Sequence, residues 1–320
     1  MHSPHARFYL GEGKAKELKA LVEEAEADLV VFDEELSPAQ GKNLEQLIDV
    51  RVMDRSELIL DIFGTRARSR EARMQVELAQ LQYLLPRLSR MWKHLSRIRG
   101  GIGLRGPGET QLETDRRLIG TRIGELRRKL KAVAKARAVQ RQGREGSFRV
   151  SLVGYTNAGK SSLLRALSGS DIFVEDRLFA TLDSATRSVS LGSGLEALIT
   201  DTVGFIRKLP HHLVASFRST LEDAQEADVL LHVIDASHSD WEEQRAVVLE
   251  VLHDLDLDKR EKILVFNKVD RITHQEEDAL SVRIRSLDPT PAVFVSAHDP
   301  DTLEALCETL RARVRGRMAS

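Results

Sequence analysis

Several features that would assign the chain to common protein classes are scarce in its 320 residues. A single cysteine, Cys307, excludes an internal disulfide framework, and its apolar spacing in LEALCETL predicts helix packing and no metal site. No apolar run approaches the roughly 20 residues that a transmembrane helix needs. The start, MHSPHARFYL, lacks the apolar stretch of a signal peptide. These absences predict a cytoplasmic protein without stable membrane insertion, and leave peripheral contact with a membrane open.

What is present is the composition of a folded protein. Hydrophobic residues make up 42% of the chain and charged residues 30%. That balance is too apolar for intrinsic disorder, and the length allows two or three domains with cores of their own.

Positive charge is concentrated in the middle of the chain. Residues 1–65 hold 7 Lys and Arg against 14 Asp and Glu, whereas residues 66–149 hold 22 against 7, a net charge of +15. Because binding a polyanion releases condensed counterions, such a block favours contact with nucleic acid. The alternative is a solvated helical surface without a nucleic-acid partner.

Residues 1–65 are predicted to form a small N-terminal parallel α/β subdomain. Apolar runs alternate with amphipathic stretches in the order ARFYL, KAKELKALVEEAEA, DLVVFD, SPAQGKNLEQLI and VRVMD, which is typical of a βαβαβ unit. Ser37 before Pro38 predicts a helix cap followed by proline at the first helical position.

Residues 66–147 are predicted to form a long antiparallel helical hairpin with a glycine-rich tip. Its first helix is expected from Ser56 to about Arg97, with a kink at Pro86. Its second helix is expected from Thr110 to Arg141, after the glycine-rich segment GGIGLRGPG. The predicted apolar stripes contain Leu78, Leu81, Leu84, Leu85 and Leu88 on the first helix, and Leu118, Ile119, Ile123, Leu126, Leu130 and Val133 on the second.

Residues 148–320 show regular alternation of strands and helices. The strands FRVSLVG, ALITD, DVLLHVID, KILVFNK and PAVFVSA are separated by helical patterns, which predicts a doubly wound, Ras-like α/β domain. Ligands bind such sheets beyond the carboxyl ends of the strands. Each motif described next follows one of these strands.

The first motif is GYTNAGKSS, residues 154–162, between the strand RVSLV and the helix SSLLRAL. It matches the GxxxxGK[ST] phosphate loop in the strand-to-helix context that this loop requires. Backbone N–H groups would face the phosphates, Lys160 would reach the β and γ oxygens, and the Ser161 hydroxyl would bind Mg²⁺. The predicted nucleotide-binding residues here are Gly154, Asn157, Ala158, Gly159, Lys160, Ser161 and Ser162.

The second motif is DTVG, which ends the strand EALIT. Asp201 is predicted to hold a magnesium-bound water, and Gly204 to place its amide near the γ-phosphate. Thr181 and Thr186 both lie where a magnesium-binding threonine is needed, and Thr181 is preferred. Lys160, Gly204 and Thr181 are the predicted catalytic residues.

The third motif, NKVD, closes the strand KILVF and predicts guanine recognition. The Asp270 carboxylate would accept the N1–H and N2–H₂ groups of guanine, a donor pair that adenine lacks. Asn267 and Lys268 complete the motif, and the Lys268 stem would lie along the base. Ser296 and Ala297 end the strand PAVFV, where the Ala297 amide would meet guanine O6.

Phe205 follows the DTVG motif where many Ras-like switches carry a glutamine that orients the attacking water. A phenyl ring cannot orient water, so slow turnover by the free protein is expected. Another side chain, a bound cation or a partner would have to complete catalysis. Asn157 is a candidate for holding K⁺ beside the β and γ phosphates, or alternatively for bracing the loop.

Taken together, RGPGETQLETDRR, GYTNAGKS, FATLD, DTVGF and NKVD resemble the HflX family of bacterial GTPases, from about residue 7 to about residue 310. The resemblance implies GTP hydrolysis stimulated by the large ribosomal subunit and the splitting or rescue of stalled or idle ribosomes under stress. It also implies a hairpin tip that enters ribosomal RNA. Phe205 fits the family pattern, and Thr181 in FATLD matches the family's magnesium-binding threonine.

Three functions stay open on the sequence. The preferred one is a monomeric ribosome-splitting factor, and the alternatives are a ribosome-assembly or RNA-chaperone GTPase and a switch that binds a protein effector without RNA. The hairpin is expected to contact RNA, although it could instead dimerise or brace the fold. Trp92 is expected to be a packing residue, with stacking on an RNA base as the alternative. The basic residues expected to follow RNA phosphates are Arg66, Arg68, Arg70, Arg87, Arg90, Lys93, Arg97, Arg99 and Arg105.

Overall fold

The computed structural model describes residues 5–88, 107–142, 146–169, 179, 181–182, 184–208 and 223–319, without the side chains of 107–112 and 137–142. Two units are distinguished by the contacts along the chain. The first contains the N-terminal region to Thr65 and the described helices from Arg73 to Val133. The second contains the segment 66–72 and the described residues from Ala134 onward.

The N-terminal region of the first unit is a small parallel α/β structure. Strands β1 (Leu29–Phe32) and β2 (Arg51–Asp54) pair in parallel, with Leu29 opposite Arg51. The predicted cap at Ser37 is confirmed: its hydroxyl accepts a hydrogen bond from the Gln40 amide, and the Gln40 side chain accepts one from the Ser37 amide. The elements are α1 (Glu12–Glu24), β1 (Leu29–Phe32), α2 (Pro38–Ile48) and β2 (Arg51–Asp54).

The strand predicted for ARFYL is wrong. His5 and Tyr9 form only an isolated antiparallel bridge to each other, so the chain turns back on itself instead of extending beside β1. Tyr9 has a φ of 66°, in the left-handed region that interrupts a strand. Phe8 is nevertheless buried in the local core, which explains the apolar character of the segment.

Two helices separate where a single one was predicted. Helix α3 (Arg55–Arg66) ends before Ser69, whose hydroxyl accepts a hydrogen bond from the Ala72 amide and so begins helix α4 (Arg70–Leu84). The kink predicted at Pro86 is one turn of 3₁₀ helix at Leu85–Arg87. The remainder of the predicted first helix, from residue 89, lies outside the described residues.

Helix α5 (Pro107–Gln142) packs against α4 to form the helical pair. Leu78, Ile123 and Leu126 are buried between the two helices, and Arg122 donates to both oxygens of Glu77 at 2.6 and 3.0 Å. Leu118 does not belong to the predicted apolar stripe, because 60% of its surface is exposed. The helix begins at Pro107 and not at the predicted Thr110. The missing amide of proline costs no hydrogen bond at the first helical position.

Arg87 does not face solvent, so the prediction that it follows RNA phosphates is wrong. It is buried, and its guanidinium donates to the Leu36 carbonyl at 2.7 Å and to Asp54 at 3.3 Å while lying 3.7 Å above the Tyr83 ring. Of the other basic residues named with it, Arg68 and Arg70 are exposed and Arg66 is half-buried. Arg90, Lys93, Arg97, Arg99 and Arg105 lie outside the described residues, as do Trp92 and most of the glycine-rich tip.

The second unit contains the predicted doubly wound α/β sheet, which is confirmed. The elements are β3 (Phe148–Gly154), α6 (Lys160–Ser168), β4 (Ala185–Gly192), β5 (Leu195–Asp201), β6 (Val229–Asp235), α7 (Trp241–Asp254), β7 (Lys262–Asn267), α8 (His274–Leu287), β8 (Ala292–Phe294) and α9 (Pro300–Ala319). Among the described residues, six strands lie in the order β4-β5-β3-β6-β7-β8, and every neighbouring pair is parallel except β4 and β5.

The antiparallel edge strand β4 was not predicted. Its sequence ATRSVSLG has few apolar residues, and only Val189 and Leu191 are buried. It is held by pairing with β5, with a register shift between Ser190 and Gly192. The helix predicted for HHLVASFRSTLEDA falls mostly on residues 209–222, outside the described residues.

Separate apolar clusters cover the two faces of the sheet. One includes Leu152, Val233 and Leu306, and the other includes Ile234, Phe266 and Trp241. Because β3, β5, β6 and β7 are mutually parallel, their carboxyl ends lie at one edge of the sheet. In the described part of the chain, no helix is both long enough and apolar enough to cross a membrane.

Candidate nucleotide-binding site

The loop between β3 and α6 closes tightly on the end of β7. Gly159 has a φ of 92°, and a Cβ at this position would lie 2.2 Å from the Asn267 side-chain nitrogen. Only glycine tolerates both the backbone conformation and the close approach. The amide groups at the start of α6 are thereby brought next to the segment predicted to bind the base.

Lys160 begins α6 and is 6% exposed. Its ammonium group donates to the carbonyl oxygens of Gly154 at 3.1 Å and Tyr155 at 3.0 Å. Burial lowers the pKa of Lys160 to about 8, an effect that the negative charge of Asp201 partly opposes. An ammonium group has three donors, so one remains for an anion at the helix N-terminus.

Three oxygen-bearing side chains meet at the same point. The Ser161 hydroxyl donates to Asp201 at 2.5 Å and lies 2.5 Å from the Thr181 hydroxyl. The second oxygen of Asp201 is buried and has no hydrogen-bond partner among the described residues. Burial raises the pKa of Asp201, while Lys160 and the Ser161 hydroxyl lower it. Two hydroxyls and an incompletely satisfied carboxylate are ligands that suit a hard cation such as Mg²⁺.

Thr186, the alternative magnesium-binding threonine, is engaged elsewhere. Its hydroxyl lies 2.9 Å from that of Thr200, within the pairing of β4 and β5. Thr181 is therefore the threonine that the structure brings to Ser161.

The segment after β5 is fixed to the phosphate loop by its backbone. The Phe205 amide donates to the Gly154 carbonyl at 3.1 Å, and the Thr156 amide donates to the Phe205 carbonyl at 2.6 Å. A Cβ at Gly204 would lie 2.7 Å from Thr156 Cα and 3.0 Å from the Lys160 ammonium nitrogen. Gly204 is thus beside the loop, while the position of its amide near the γ-phosphate stays a prediction. The Phe205 ring is buried in the protein interior at 2% exposure.

The residues predicted to read guanine also converge. The Asn267 side chain donates to the Ala158 carbonyl at 2.9 Å and accepts from the Ala297 amide at 3.1 Å. Asp270 accepts a hydrogen bond from the Ser296 hydroxyl at 2.5 Å. Asn267 therefore connects the phosphate loop with the segment after β8, and Asp270 is held beside that segment.

Lys268 makes a contact that the sequence analysis missed. Its ammonium group donates to the Asn157 carbonyl at 2.9 Å and to Asp235 at 2.7 Å. Burial opposes ionisation of Asp235, but hydrogen bonds from Lys268 and Ser237 offset it and lower the pKa of Asp235. The available signal was the position of Asp235 at the end of the strand LLHVID, at the same sheet edge as the motifs.

Comparison with known proteins agrees with this geometry. Residues 1–64 match the family described as GTP-binding GTPase N-terminal, residues 66–144 the GTP-binding GTPase Middle Region, and residues 149–268 the 50S ribosome-binding GTPase. A structure of SsGBP in complex with GDP matches with a TM-score of 0.53 and 25% identity, covering 98% of this chain and 88% of that one.

Two curated relatives are more similar in sequence. GTPase HflX of Flavobacterium psychrophilum is 52% identical over 87% of this chain and 67% of its own length. GTPase HflX of Escherichia coli is 46% identical over 99% of this chain and 74% of its own length. With this similarity and the site described above, the chain belongs to the HflX family of GTPases, enzymes that hydrolyse GTP.

Proposed function

We propose that this protein binds the large ribosomal subunit in its GTP-bound state and splits or rescues stalled or idle ribosomes under stress. The observation that carries the proposal is the convergence of the phosphate loop, the Ser161–Asp201 cluster and the guanine motif in a chain of the HflX family. The match of residues 149–268 to a family described as ribosome-binding supports the choice of partner. Such a factor would work in the cytoplasm, as a monomer.

Within this function, the three parts of the chain have separate roles. Residues 148–320 bind and hydrolyse GTP, residues 66–147 contact ribosomal RNA, and residues 1–65 support the helical part. Among the described residues, helix α5 is the basic surface that we propose for RNA. Its segment 113–136 contains eight Arg and Lys against three Asp and Glu. Its exposed basic residues are Arg116, Arg117, Arg127, Arg128, Lys129, Lys131 and Lys135.

Hydrolysis by the free protein is slow because residue 205 is a phenylalanine, which cannot orient the attacking water as a glutamine does. The Phe205 ring is buried, and a phenyl ring carries no group that can hydrogen-bond to a water. Lys160 and the Gly204 amide stabilise the negative charge of the phosphates during transfer. The ribosome completes the site and accelerates the reaction.

Mg²⁺ is the metal proposed for the site. Ser161 and Thr181 would bind it directly and Asp201 through a water, since their oxygens already converge. When bound, Mg²⁺ neutralises charge on the β and γ phosphates. Thr181→Ala should raise the Mg²⁺ concentration needed for half-maximal GTP hydrolysis, whereas the matched Thr186→Ala should not. Equal effects of the two substitutions would contradict the assignment.

K⁺ is a second proposed cofactor, beside Asn157. This residue is exposed on the phosphate loop and has a left-handed backbone with a φ of 63°. Hydrolysis should be faster in KCl than in NaCl of equal concentration, and Asn157→Ala should remove that difference. Equal rates in both salts for the unsubstituted protein would exclude the role.

The decisive experiment measures GTP hydrolysis with and without purified large subunits, followed by sucrose gradients of whole ribosomes incubated with the protein. Stimulated hydrolysis together with conversion of ribosomes to subunits is the expected result. Stimulation without splitting would favour the alternative, a ribosome-assembly or RNA-chaperone GTPase. If the rate of GTP hydrolysis is the same with and without large subunits, the ribosomal function is refuted and the assignment as a GTPase still holds.

A further inference from the structure

A carboxylate and an ammonium group from neighbouring strand ends meet beside the predicted base pocket. Asp235 ends β6 directly opposite Asn267, which ends β7, so the next residue along the chain, Lys268, lies next to Asp235. The Lys268 ammonium and Asp235 carboxylate are 2.7 Å apart, and each side chain is only 13% exposed. A charge-assisted hydrogen bond with so little exposure is strong and is weakly screened by solvent.

The same ammonium group also reaches the phosphate loop. It donates to the Asn157 carbonyl at 2.9 Å, so it is held by one point on β6 and another on the loop. The Lys268 backbone is left-handed, with a φ of 67°, which turns the side chain away from the direction of β7. Two fixed partners leave the four-carbon stem of Lys268 little freedom.

Asp235 is itself oriented by its neighbours. Its other oxygen accepts hydrogen bonds from the amide of Ser237 at 3.0 Å and from the hydroxyl of Ser237 at 2.6 Å. The carboxylate therefore presents one defined oxygen to Lys268, without a choice of rotamer. Such an arrangement fixes Lys268 before any ligand arrives.

We propose that Asp235 is a positioning residue for guanine-nucleotide binding, which holds the stem of Lys268 as one wall of the base pocket. This inference rests on the proposed role of Lys268 in the guanine motif. Loss of the carboxylate would free the ammonium group to seek other acceptors, and the stem would have to be ordered again each time a nucleotide binds. Because prior ordering lowers the entropic cost of binding, its loss should weaken affinity and speed nucleotide release.

The competing explanation is a structural ion pair that only stabilises the sheet edge. The two explanations differ in what each substitution changes. A structural pair would alter the urea midpoint of the nucleotide-free protein and leave the affinity of the folded protein intact. A positioning residue alters the dissociation constant for nucleotide, and only while Lys268 is present.

The test uses Asp235→Asn in the full chain, with Asp278→Asn as the matched control because Asp278 is an exposed aspartate of α8. Binding of a fluorescent GDP analogue, its release rate and the urea midpoint are measured for each. Asp235→Asn should weaken binding about tenfold, the size expected for a hydrogen bond between charged groups, mainly through faster release. Asp235→Glu, which keeps the charge, should recover part of the loss.

A double-mutant cycle decides whether Asp235 acts through Lys268. Lys268→Ala should weaken GDP binding by itself, and adding Asp235→Asn to it should cause little further loss. The positioning role of Asp235 would be overturned if the losses of GDP affinity were additive, or if Asp235→Asn bound GDP like Asp278→Asn. Neither result would affect the proposed guanine site. If Lys268→Ala binds GDP normally, the proposed guanine site fails as well.

Discussion

Each unit buries two side chains of opposite charge. Their hydrogen bonds are complete in the first unit and incomplete in the second. In the first unit, the Arg87 guanidinium meets two carbonyl oxygens, Asp54 and the face of Tyr83, while Asp54 also accepts from the amides of Leu36 and Glu57. In the second, the described residues give Lys160 two carbonyl partners and leave one oxygen of Asp201 without a hydrogen bond. The complete network stabilises a fold, and the incomplete one is prepared for a ligand.

The electrostatics follow the same division. At the nucleotide site, burial lowers the pKa of Lys160 and raises that of Asp201, so both groups are held in an environment that disfavours their charge. Phosphates and a divalent cation would relieve both costs. In the first unit, burial and the charge of Asp54 raise the pKa of Tyr83, which keeps its phenol neutral under Arg87.

Lys160→Ala tests whether the incomplete network serves the nucleotide. Removal of the charge that we propose to meet the β and γ phosphates should reduce GTP turnover at least about 100-fold, as loss of a transition-state donor does. The unfolding midpoint without nucleotide should change less than in Arg87→Ala, because removal of a desolvated ammonium group offsets the attraction that Asp201 loses. Turnover assays and urea unfolding test both points, with the exposed Lys259→Ala as control. Unchanged kinetics would refute the phosphate-loop assignment.

Arg87→Ala should have the reverse pattern. It leaves Asp54 buried without its cation, so unfolding of the first unit should become easier by about 3 kcal/mol. The affinity for GDP should remain near that of the unsubstituted protein, because the proposed nucleotide-binding residues lie in the second unit. Urea unfolding followed by circular dichroism measures the first effect. Arg127→Ala, at an exposed position of α5, should change stability by less than about 0.5 kcal/mol.

Asp270→Asn tests base recognition within the second unit. A carboxamide cannot accept both guanine N–H groups, so affinity for GDP should fall about 100-fold, as expected when a site built for hydrogen bonds loses its match. Affinity for xanthosine diphosphate should rise, because the new amide can donate to the oxygen at C2 of xanthine. Competition between the two nucleotides measures the ratio. A preference that stays with guanine would refute base reading by Asp270.

The smallest expected effect is a pH dependence of nucleotide affinity. Free protein loses the Lys160 proton with a pKa of about 8, and bound phosphates should raise that pKa. Binding then takes up a proton above pH 8, so the GDP dissociation constant should increase about tenfold per pH unit there and be insensitive to this group below it. Lys160→Arg, which stays charged, should be flat across the range. A flat profile for the unsubstituted protein would contradict the assignment.

Much of the nucleotide site could be predicted because its chemistry is local in sequence. The phosphate loop, the DTVG segment and the NKVD segment each contain their functional groups within a few residues and each follow an apolar strand. Parallel strands bring their carboxyl ends together, so the convergence of Lys160, Asp201 and Asn267 follows from the strand pattern alone.

The features that could not be predicted from the sequence depend on residues far apart along the chain. Asp235 and Lys268, like Asp54 and Arg87, are 33 positions apart along the chain, so no local sequence pattern indicates either pair. The turn at Tyr9 and the edge strand β4 were missed because burial and pairing, more than apolar spacing, set their conformation.

The fold class, the order of the motifs and the family could be predicted from the amino-acid sequence alone, because periodicity and contiguous motifs encode them. Tertiary structure decided which charges are satisfied: Arg87 became part of the core, Thr181 and not Thr186 met Ser161, and Asp235 met Lys268. Charge satisfaction depends on distances between side chains from different strands and helices, and only the folded chain sets those distances.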